Sequence, residues 1–326
     1  MHTKPISLAA LGAVAVLLAG CSGGGGTSPD AAAAPGADGE LTTINLGLMP
    51  ISDVAPIYLG MEQGFFEEEG LEIEITNASG GAALLPAVVA GDLDFAVSNA
   101  VSPMIAESRG LDISIVANSN SSTGDPESDF GYILVPEGSD IQTPADLEGH
   151  SIGVNALAGI TEMYVRYAVE QTGGDPDKVE YVEVGPADSP AALASGQVDA
   201  IWIVEPLVQI IKSQGGVPIY AMYAEPMPDL TVGIYFTTAQ YAEQNPEITE
   251  AFVRAVNKSS EYAQEHPDET RQAVLSYTDM DPELAEAMVL PKYGTEINRD
   301  AMALHLELAE KYGFMESPID LDDVLG

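Results

Sequence analysis

Short apolar runs recur along the chain at intervals that suit strands separated by helices. Four runs lie between residues 44 and 117, and four more lie between residues 151 and 221. Helical segments between the runs predict βαβ crossovers and parallel-dominated sheets that are covered on both faces. The runs are Ile44–Leu48, Leu71–Ile75, Leu93–Val97, Ile113–Ala117, Ser151–Val154, Val179–Val182, Val198–Ile203 and Val217–Ala221.

The two sets of four runs share one spacing. Equivalent points are 26, 21 and 21 residues apart in the first set, and 26, 20 and 20 apart in the second. Before the third run, each set carries a small-residue helix that ends in Gly-x-apolar-Asp, at Gly91 to Asp94 and at Gly196 to Asp199. Glycine suits a helix C-terminus, and the aspartate opens the strand. The duplication predicts two similar α/β lobes.

Two further apolar runs, Gly131–Val135 and Val232–Thr237, each follow one complete set. We expect the chain to cross between the lobes near residues 130–134 and 224–232, which gives a two-crossing hinge. The rest of the chain up to Tyr312 is typical of helix, with starts at Pro246, Pro267 and Pro282. This tail lacks its own sheet, so it is predicted to pack on the first lobe, with the ligand between the lobes.

The N-terminus predicts export. An uncharged apolar segment runs from Ile6 to Ala19, and Leu18-Ala19-Gly20-Cys21 contains the only cysteine. This stretch resembles the lipobox of bacterial lipoproteins, which implies that Cys21 is lipidated and becomes the mature N-terminus on the outer face of the cell membrane. An ordinary secretory signal that contains a cysteine is the alternative.

These observations divide the chain into five parts. Residues 1–20 are a signal peptide, and residues 21–40 form a disordered tether rich in glycine, alanine and proline. Residues 41–132 begin lobe 1, residues 133–231 form lobe 2, and residues 232–326 return to lobe 1 and add the C-terminal helices.

Charge and composition exclude several classes of protein. The full chain has a formal charge of −40, and loss of Lys4 with the signal peptide leaves 10 basic and 51 acidic residues, or −41. Such a chain repels nucleic acid, and the acids lack the ordered spacing of an EF-hand. The four histidines have no metal-ligand spacing, and no motif for a nucleotide cofactor or a nucleophile is present. We therefore expect no catalytic residues, no metal and no cofactor.

Several motifs resemble one family in order along the chain. They are Pro56-Ile57-Tyr58-Leu59-Gly60, Gly64-Phe65-Phe66, Glu69-Gly70-Leu71-Glu72-Ile73, Gly80-Gly81 and Ile141–Gly149. The set is similar to solute-binding proteins of ABC importers, in the branch that binds nitrate, sulfonates, taurine and thiamine pyrimidines. The resemblance implies a type II periplasmic-binding-protein fold that closes over one small molecule and delivers it to a permease and its ATPase. We also expect a monomer. No later segment is long and apolar enough to cross a membrane, so the lipid is expected to be its sole membrane contact.

Two other functions stay open on the same fold. One is an enzyme that makes a pyrimidine or menaquinone precursor, although the pyrimidine synthases use a cysteine-rich segment that this chain lacks. The other is an extracytoplasmic sensor that signals to a membrane kinase.

The ligand is expected beyond the carboxyl ends of the parallel strands. The candidate loops there are residues 50–55, 77–82, 98–102, 118–123, 155–161, 185–189 and 204–206, and none of them contains Lys, Arg or His. Several anion-binding members of the family, by contrast, place a basic residue at the ligand. A neutral, zwitterionic or cationic organic solute is therefore predicted, with a pyrimidine-like heterocycle ahead of an aminosulfonate. The candidate ligand-binding residues are Ser52, Asp53, Gly80, Gly81, Ser98, Asn99, Asn118, Thr161, Asp188, Trp202 and Glu205.

Each candidate also has a structural alternative. Ser98 and Thr161 are as well suited to capping helices, Gly80 and Gly81 to a tight turn, and Trp202 to the core.

Overall fold

Two five-stranded sheets organise the computed structural model, which describes residues 40–78 and 81–325. The predicted signal peptide, Cys21, the tether up to residue 39 and Gly80 lie outside these residues. The strands are β1 (Thr42–Leu48), β2 (Leu71–Asn77), β3 (Phe95–Asn99), β4 (Ile113–Ser121), β5 (Gly131–Pro136), β6 (Ser151–Val154), β7 (Glu180–Glu183), β8 (Ala200–Val204), β9 (Gly216–Ala221) and β10 (Thr231–Thr238).

Helices connect and cover the strands. They are α1 (Ala55–Glu62), α2 (Phe65–Glu68), α3 (Gly81–Ala90), α4 (Val101–Ser108), α5 (Ile160–Gln171), α6 (Ser189–Ala194), α7 (Leu207–Ser213), α8 (Ala239–Gln244), α9 (Pro246–Glu265), α10 (Pro267–Tyr277), α11 (Pro282–Ala285), α12 (Arg299–Lys311) and α13 (Leu321–Val324). Short 3₁₀ turns occupy Ser52–Val54, Pro126–Ser128, Pro144–Leu147, Pro176–Lys178 and Pro186–Asp188. No helix of the described chain is both long and apolar enough to cross a membrane.

The two sheets have the same internal plan. The first has the order β2-β1-β3-β10-β4, and the second has the order β7-β6-β8-β5-β9. In the first sheet β1 pairs in parallel with β2 and β3, while β10 pairs antiparallel with β3 and β4. In the second, β6 pairs in parallel with β7 and β8, while β5 pairs antiparallel with β8 and β9. Four strands of each sheet therefore run in one direction and one runs against them.

The Gly-x-apolar-Asp repeat forms the same structure twice. Gly91 and Gly196 have φ of +79° and +70°, the left-handed conformation that favours glycine after a helix. Asp94 then accepts the Asn45 N–H at 2.7 Å, and Asp199 accepts the Ser151 N–H at 2.8 Å. The predicted strands therefore begin two residues early, because each aspartate side chain bonds to the neighbouring strand before its own strand begins.

Two connections join the sheets. They occupy residues 122–130 and 222–230, and the first is earlier than predicted because residues 131–134 already pair with β8. Asp129, a buried residue of the first connection, accepts the N–H groups of Tyr223 at 2.8 Å and Ala224 at 2.9 Å in the second. At the other end, the Ser122 N–H donates to the Leu230 carbonyl at 2.8 Å. The two connections are thus tied to each other at both ends.

The C-terminal region is only partly helical. Three predicted starts coincide with the first residues of α9, α10 and α11. Residues 286–298, here called the 286–298 loop, form no helix, which corrects the prediction of a purely helical tail. Pro291 interrupts helical hydrogen bonding in this loop, and the Lys292 backbone pairs instead with Ser121 at 2.8 and 3.1 Å. The loop therefore returns the chain to the first sheet.

The C-terminal helices contact both lobes. The Phe252 ring of α9 stacks on Phe95 of the first sheet, with 4.1 Å between the ring centroids. His305 of α12 is buried, and its Nε2 donates to the Thr231 carbonyl at 2.7 Å while the Tyr164 hydroxyl of α5 donates to Nδ1 at 2.9 Å. Burial lowers the pKa of His305 to about 4, so the ring is neutral in this position. The tail was predicted to pack on lobe 1, and α12 extends this contact to lobe 2.

Candidate functional site

A cavity of about 440 Å³ lies between the two sheets at the carboxyl ends of their parallel strands. Residues 49–51 and 98–99 contribute from the ends of β1 and β3, and Asn155 and residues 203–204 contribute from the ends of β6 and β8. Both lobes therefore form its walls. This is the position at which ligands of open α/β sheets bind.

Five of the predicted ligand-binding residues line this cavity, and four others lie outside its lining. Those in the lining are Asp53, Ser98, Asn99, Thr161 and Trp202. Gly81 is the first residue of α3, and Gly80 is outside the described chain. Ser52, Asn118, Asp188 and Glu205 have other positions. Ligand contact remains a prediction for every one of these residues.

Asp53 is the acidic group of the cavity that is most withdrawn from solvent. It lies in the 3₁₀ turn after β1 and is 6% exposed. Burial raises its pKa to about 6, while the neighbouring Asn120 and Ser52 side chains oppose part of this effect. None of the described residues that line the cavity is Lys, Arg or His. The cavity thus contains an acid without a cationic partner.

Ser98 and Trp202 bring unused hydrogen-bonding groups to the same cavity. Ser98 is 2% exposed and Trp202 is 5% exposed. Within the described residues, neither Ser98 Oγ nor Trp202 Nε1 has a hydrogen-bond partner. Buried polar atoms in folded proteins nearly always have partners, so an acceptor supplied by a ligand is a natural complement to these two groups.

Asn99 and Thr161 have local structural roles as well. Asn99 Oδ1 accepts the N–H groups of Val101 at 3.0 Å and Ser102 at 2.9 Å, which satisfies the start of α4. Thr161 Oγ1 donates to Asn155 Oδ1 at 3.0 Å. Ser98, by contrast, caps no helix, so the capping alternative does not describe it.

Glu205 joins the lobes instead of facing the cavity. Its carboxylate is fully buried and accepts the Gln209 side-chain N–H at 2.6 Å and the Val289 N–H at 3.2 Å. Its carbonyl accepts the Ser52 hydroxyl at 3.2 Å and the Ser52 N–H at 3.3 Å. Burial raises the pKa of Glu205 to about 7. Ser52 and Glu205 therefore form a contact between the two lobes, and ligand contact by either of them stays a prediction.

Asn118 and Asp188 are also outside the lining. Asn118 is fully buried in β4, and its Nδ2 donates to the Gly294 carbonyl at 2.6 Å, which holds the 286–298 loop on the first sheet. Asp188 is exposed at the start of α6. Loop position alone did not distinguish these side chains from those that enter the cavity.

Several lining residues are outside the sequence prediction. The main omissions are Tyr223 on the second connection and Tyr277 to Met280 at the end of α10. The Tyr277 hydroxyl donates to the Ile51 carbonyl at 2.9 Å, and its ring stacks on Tyr58 at 4.1 Å. Tyr223 directly precedes the predicted second crossing, which is the one signal that marked it. No periodic pattern placed the end of α10 at the cleft.

Comparison with known proteins agrees with this architecture. A family model described as "NMT1/THI5 like" matches residues 51–270. The formylaminopyrimidine-binding protein of Halalkalibacterium halodurans is 25% identical over 226 residues, which cover 68% of this chain and 66% of that protein, just under two thirds.

Solved structures share the fold at low identity. The periplasmic aliphatic sulphonate binding protein SsuA from Escherichia coli aligns with a TM-score of 0.71 at 18% identity, covering 87% of this chain and 97% of that one. The periplasmic nitrate-binding protein NrtA from Synechocystis PCC 6803 aligns with a TM-score of 0.74 at 18% identity, covering 87% and 84%. The predicted periplasmic-binding-protein fold is confirmed.

Proposed function

The chain belongs to the NMT1/THI5-like family, and we propose that it is the extracytoplasmic solute-binding lipoprotein of an ABC import system. In this proposal it captures one small organic solute between its lobes and delivers it to a membrane permease with its ATPase. Relatives and structural neighbours named as binding proteins for a formylaminopyrimidine, sulphonates and nitrate support binding as the activity.

The observation that carries the proposal is the cavity between the lobes. Its walls come from both sheets. It contains a buried acid that no cation of the described lining balances, together with buried donors that have no described partner. A ligand that contacts both walls stabilises the closed arrangement of the lobes, because the bound state buries surfaces that the open state exposes. Closure over a solute is the property that an importer's receptor needs.

Export and anchoring are also proposed, from the sequence. The lipobox-like stretch at Cys21 supports a lipid anchor, and residues 22–39 provide a tether between the lipid and the folded chain. A sensor for a membrane kinase would use the same kind of receptor. Genes for a permease and an ATPase beside the gene for this protein would favour import.

Replacing one of two alanines by tryptophan, inside or outside the cavity, tests whether the cavity is the binding site. Ala187 lines the cavity and Ala194 lies outside it on α6, and both are exposed. We expect one or more members of a panel of aminopyrimidines, alkanesulfonates, taurine and nitrate to raise the melting temperature of the wild type. Ala187→Trp should weaken binding at least about tenfold by filling the cavity, whereas Ala194→Trp should leave it unchanged.

Small-angle scattering with the bound solute should then show a smaller radius of gyration. Undiminished binding to Ala187→Trp would place the ligand elsewhere and contradict the proposal.

A further inference from the structure

Asp53 is surrounded by groups that carry no positive charge. The titratable groups near it come from other elements. They are Tyr223, Tyr235, Tyr277 and Tyr293, on whose pKa values the Asp53 charge acts, and the exposed Asp279 of the same cavity. Burial raises the pKa of each of these tyrosines, so each hydroxyl stays neutral at physiological pH. Ser52 Oγ donates a neutral hydrogen bond to Asp53 Oδ1 at 3.3 Å, and the uncharged Asn120 amide lies nearby. A buried carboxylate without a cation is unfavourable, so the protein leaves the compensating charge or donor to the solute.

Two other polar groups of the cavity are hydrogen-bond donors, and they need an acceptor from the solute. Trp202 Nε1 is a donor only, and the Ser98 hydroxyl can donate as well. Both are buried in the lining without a described partner. A complementary solute therefore carries an acceptor in addition to the group that faces Asp53.

The remaining walls favour a flat ligand. Trp202 and Tyr223 meet edge to face, with 6.1 Å between their ring centroids, and Tyr277 completes an aromatic set around an otherwise apolar cavity. Aromatic rings bind flat π-systems well, and they also attract cations through their faces. The volume of about 440 Å³ is in the range of small-molecule sites.

We infer that the cavity selects an amine-bearing aromatic or heteroaromatic solute, whose nitrogen donates to Asp53 and whose acceptor pairs with Ser98 and Trp202, and that it rejects nitrate and sulfonates. This inference rests on the proposed function, because it assigns the solute class of the same cavity. A sulfonate or nitrate would meet the Asp53 carboxylate without any lysine, arginine or histidine in the described lining to balance it.

Binding of a charged amine is then linked to the protonation of Asp53. With a pKa of about 6, the carboxyl is mostly ionised at pH 7.5 and mostly protonated at pH 5. Because only the ionised form pairs with an ammonium group, affinity should fall as the pH drops through 6. The expected loss is about tenfold between pH 7.5 and pH 5, if Asp53 alone titrates.

The test uses solutes that differ in charge and variants that differ in one carboxylate. Calorimetry measures the binding of benzylamine, 4-aminopyrimidine and 4-amino-5-(aminomethyl)pyrimidine to the protein. Hexanesulfonate, taurine and nitrate are measured in the same way for comparison. Asp53→Asn should weaken benzylamine, which stays a cation from pH 5 to pH 7.5, at least about tenfold and abolish the pH dependence of its binding. Asp188→Asn, which removes an exposed carboxylate outside the lining, should change neither. Circular dichroism and the melting temperature establish that both variants fold, and the wild-type pH profile tests the inference independently of them.

The outcomes separate this inference from the proposed function. Amine binding with the expected pH profile, lost in Asp53→Asn, supports the inference. Sulfonate or nitrate binding that Ala187→Trp abolishes would overturn the inference and leave the receptor intact. Amine binding that is unaffected by Asp53→Asn and by pH would also overturn it. If no probe of any charge binds in a manner that Ala187→Trp blocks, the proposed function fails as well.

Discussion

Glu205 combines complete burial with a carboxyl group that meets no cation at close range. Its oxygens accept N–H groups from Gln209 in its own lobe and from Val289 in the 286–298 loop. Desolvation nevertheless dominates and raises its pKa from the ordinary value of 4.5 to about 7. The folded state therefore binds a proton more tightly than the unfolded state does.

This difference predicts a pH dependence of stability. The contribution of a carboxyl with a raised folded pKa is fully present below pH 4.5 and is lost as the pH rises to 7 and above. Glu205→Gln lacks the titration, so its free energy of unfolding relative to wild type should increase between pH 4.5 and 8. The increase should be on the order of 3 kcal/mol. Urea denaturation at a series of pH values measures it.

A control separates Glu205 from the other acids of the chain. Glu74→Gln alters an exposed carboxylate on β2 and should show no such trend relative to wild type. Parallel profiles for Glu205→Gln and wild type would mean that Glu205 stays ionised in its buried position.

The sequence could identify the acids near the cleft but could not assign their roles. Asp53 and Glu205 each follow a predicted strand, so the periodic pattern places both at the correct end of a sheet. Their side chains diverge because the partner of Glu205, Val289, is 84 residues away in a loop that no pattern positions. Such a role depends on tertiary contacts, which local periodicity does not encode.

At the scale of elements, the paired aspartates are the clearest product of the internal repeat. Asp94 accepts two N–H groups of Asn45, at 2.7 and 3.1 Å, and Asp199 accepts the N–H and hydroxyl of Ser151, at 2.8 and 2.9 Å. The backbone hydrogen bond from Ser151 is the main cause of the lowered pKa of Asp199. Asp94 joins the middle of β1 to the start of β3, and Asp199 joins the starts of β6 and β8.

Removal of either aspartate should lower the free energy of unfolding by a similar amount. Asp94→Ala and Asp199→Ala should each lower the free energy of unfolding by about 1–3 kcal/mol, the range for hydrogen bonds to a charged acceptor. Asp92→Ala, an exposed neighbour, is the matched control and should change stability by less than about 0.5 kcal/mol. Urea unfolding curves provide the comparison. If Asp94→Ala behaves like Asp92→Ala, the strand contact in lobe 1 contributes nothing.

Elements with a strong period were the predictable part of the fold. Ten apolar runs correspond to the ten strands, and proline marked the starts of α9, α10 and α11. The 286–298 loop was not predictable, because its structure comes from contacts with the first sheet. The loop backbone pairs with Ser121, and the Gly294 carbonyl accepts a hydrogen bond from Asn118. The cavity wall at Tyr277 depends on the same long-range packing.

For the whole molecule, net charge and the predicted anchor act together. A charge of −40 repels anionic lipid headgroups, so the folded domain gains no electrostatic attraction to a typical bacterial membrane. Membrane association then depends on the lipid proposed at Cys21. Cys21→Ser should move most of the protein from the membrane fraction into the soluble exported fraction, as measured by fractionation and immunoblotting.

The matched control for this prediction is Ser22→Ala, which should stay in the membrane fraction because the modified residue is intact. A Cys21→Ser protein that sediments with membranes as completely as wild type would show that the anchor lies elsewhere.

The position of β10 constrains the order in which the chain can fold during synthesis. The second sheet draws all its strands from the continuous segment 131–221, so it can form as soon as that segment is available. In the first sheet, β10 lies between β3 and β4, and β4 gains its strand partner only after residue 231 has been made. Contacts of such sequence separation form slowly. The N-terminal lobe is therefore the last to be completed, so the part of the chain that the proposed export would move first stays unfolded for longest.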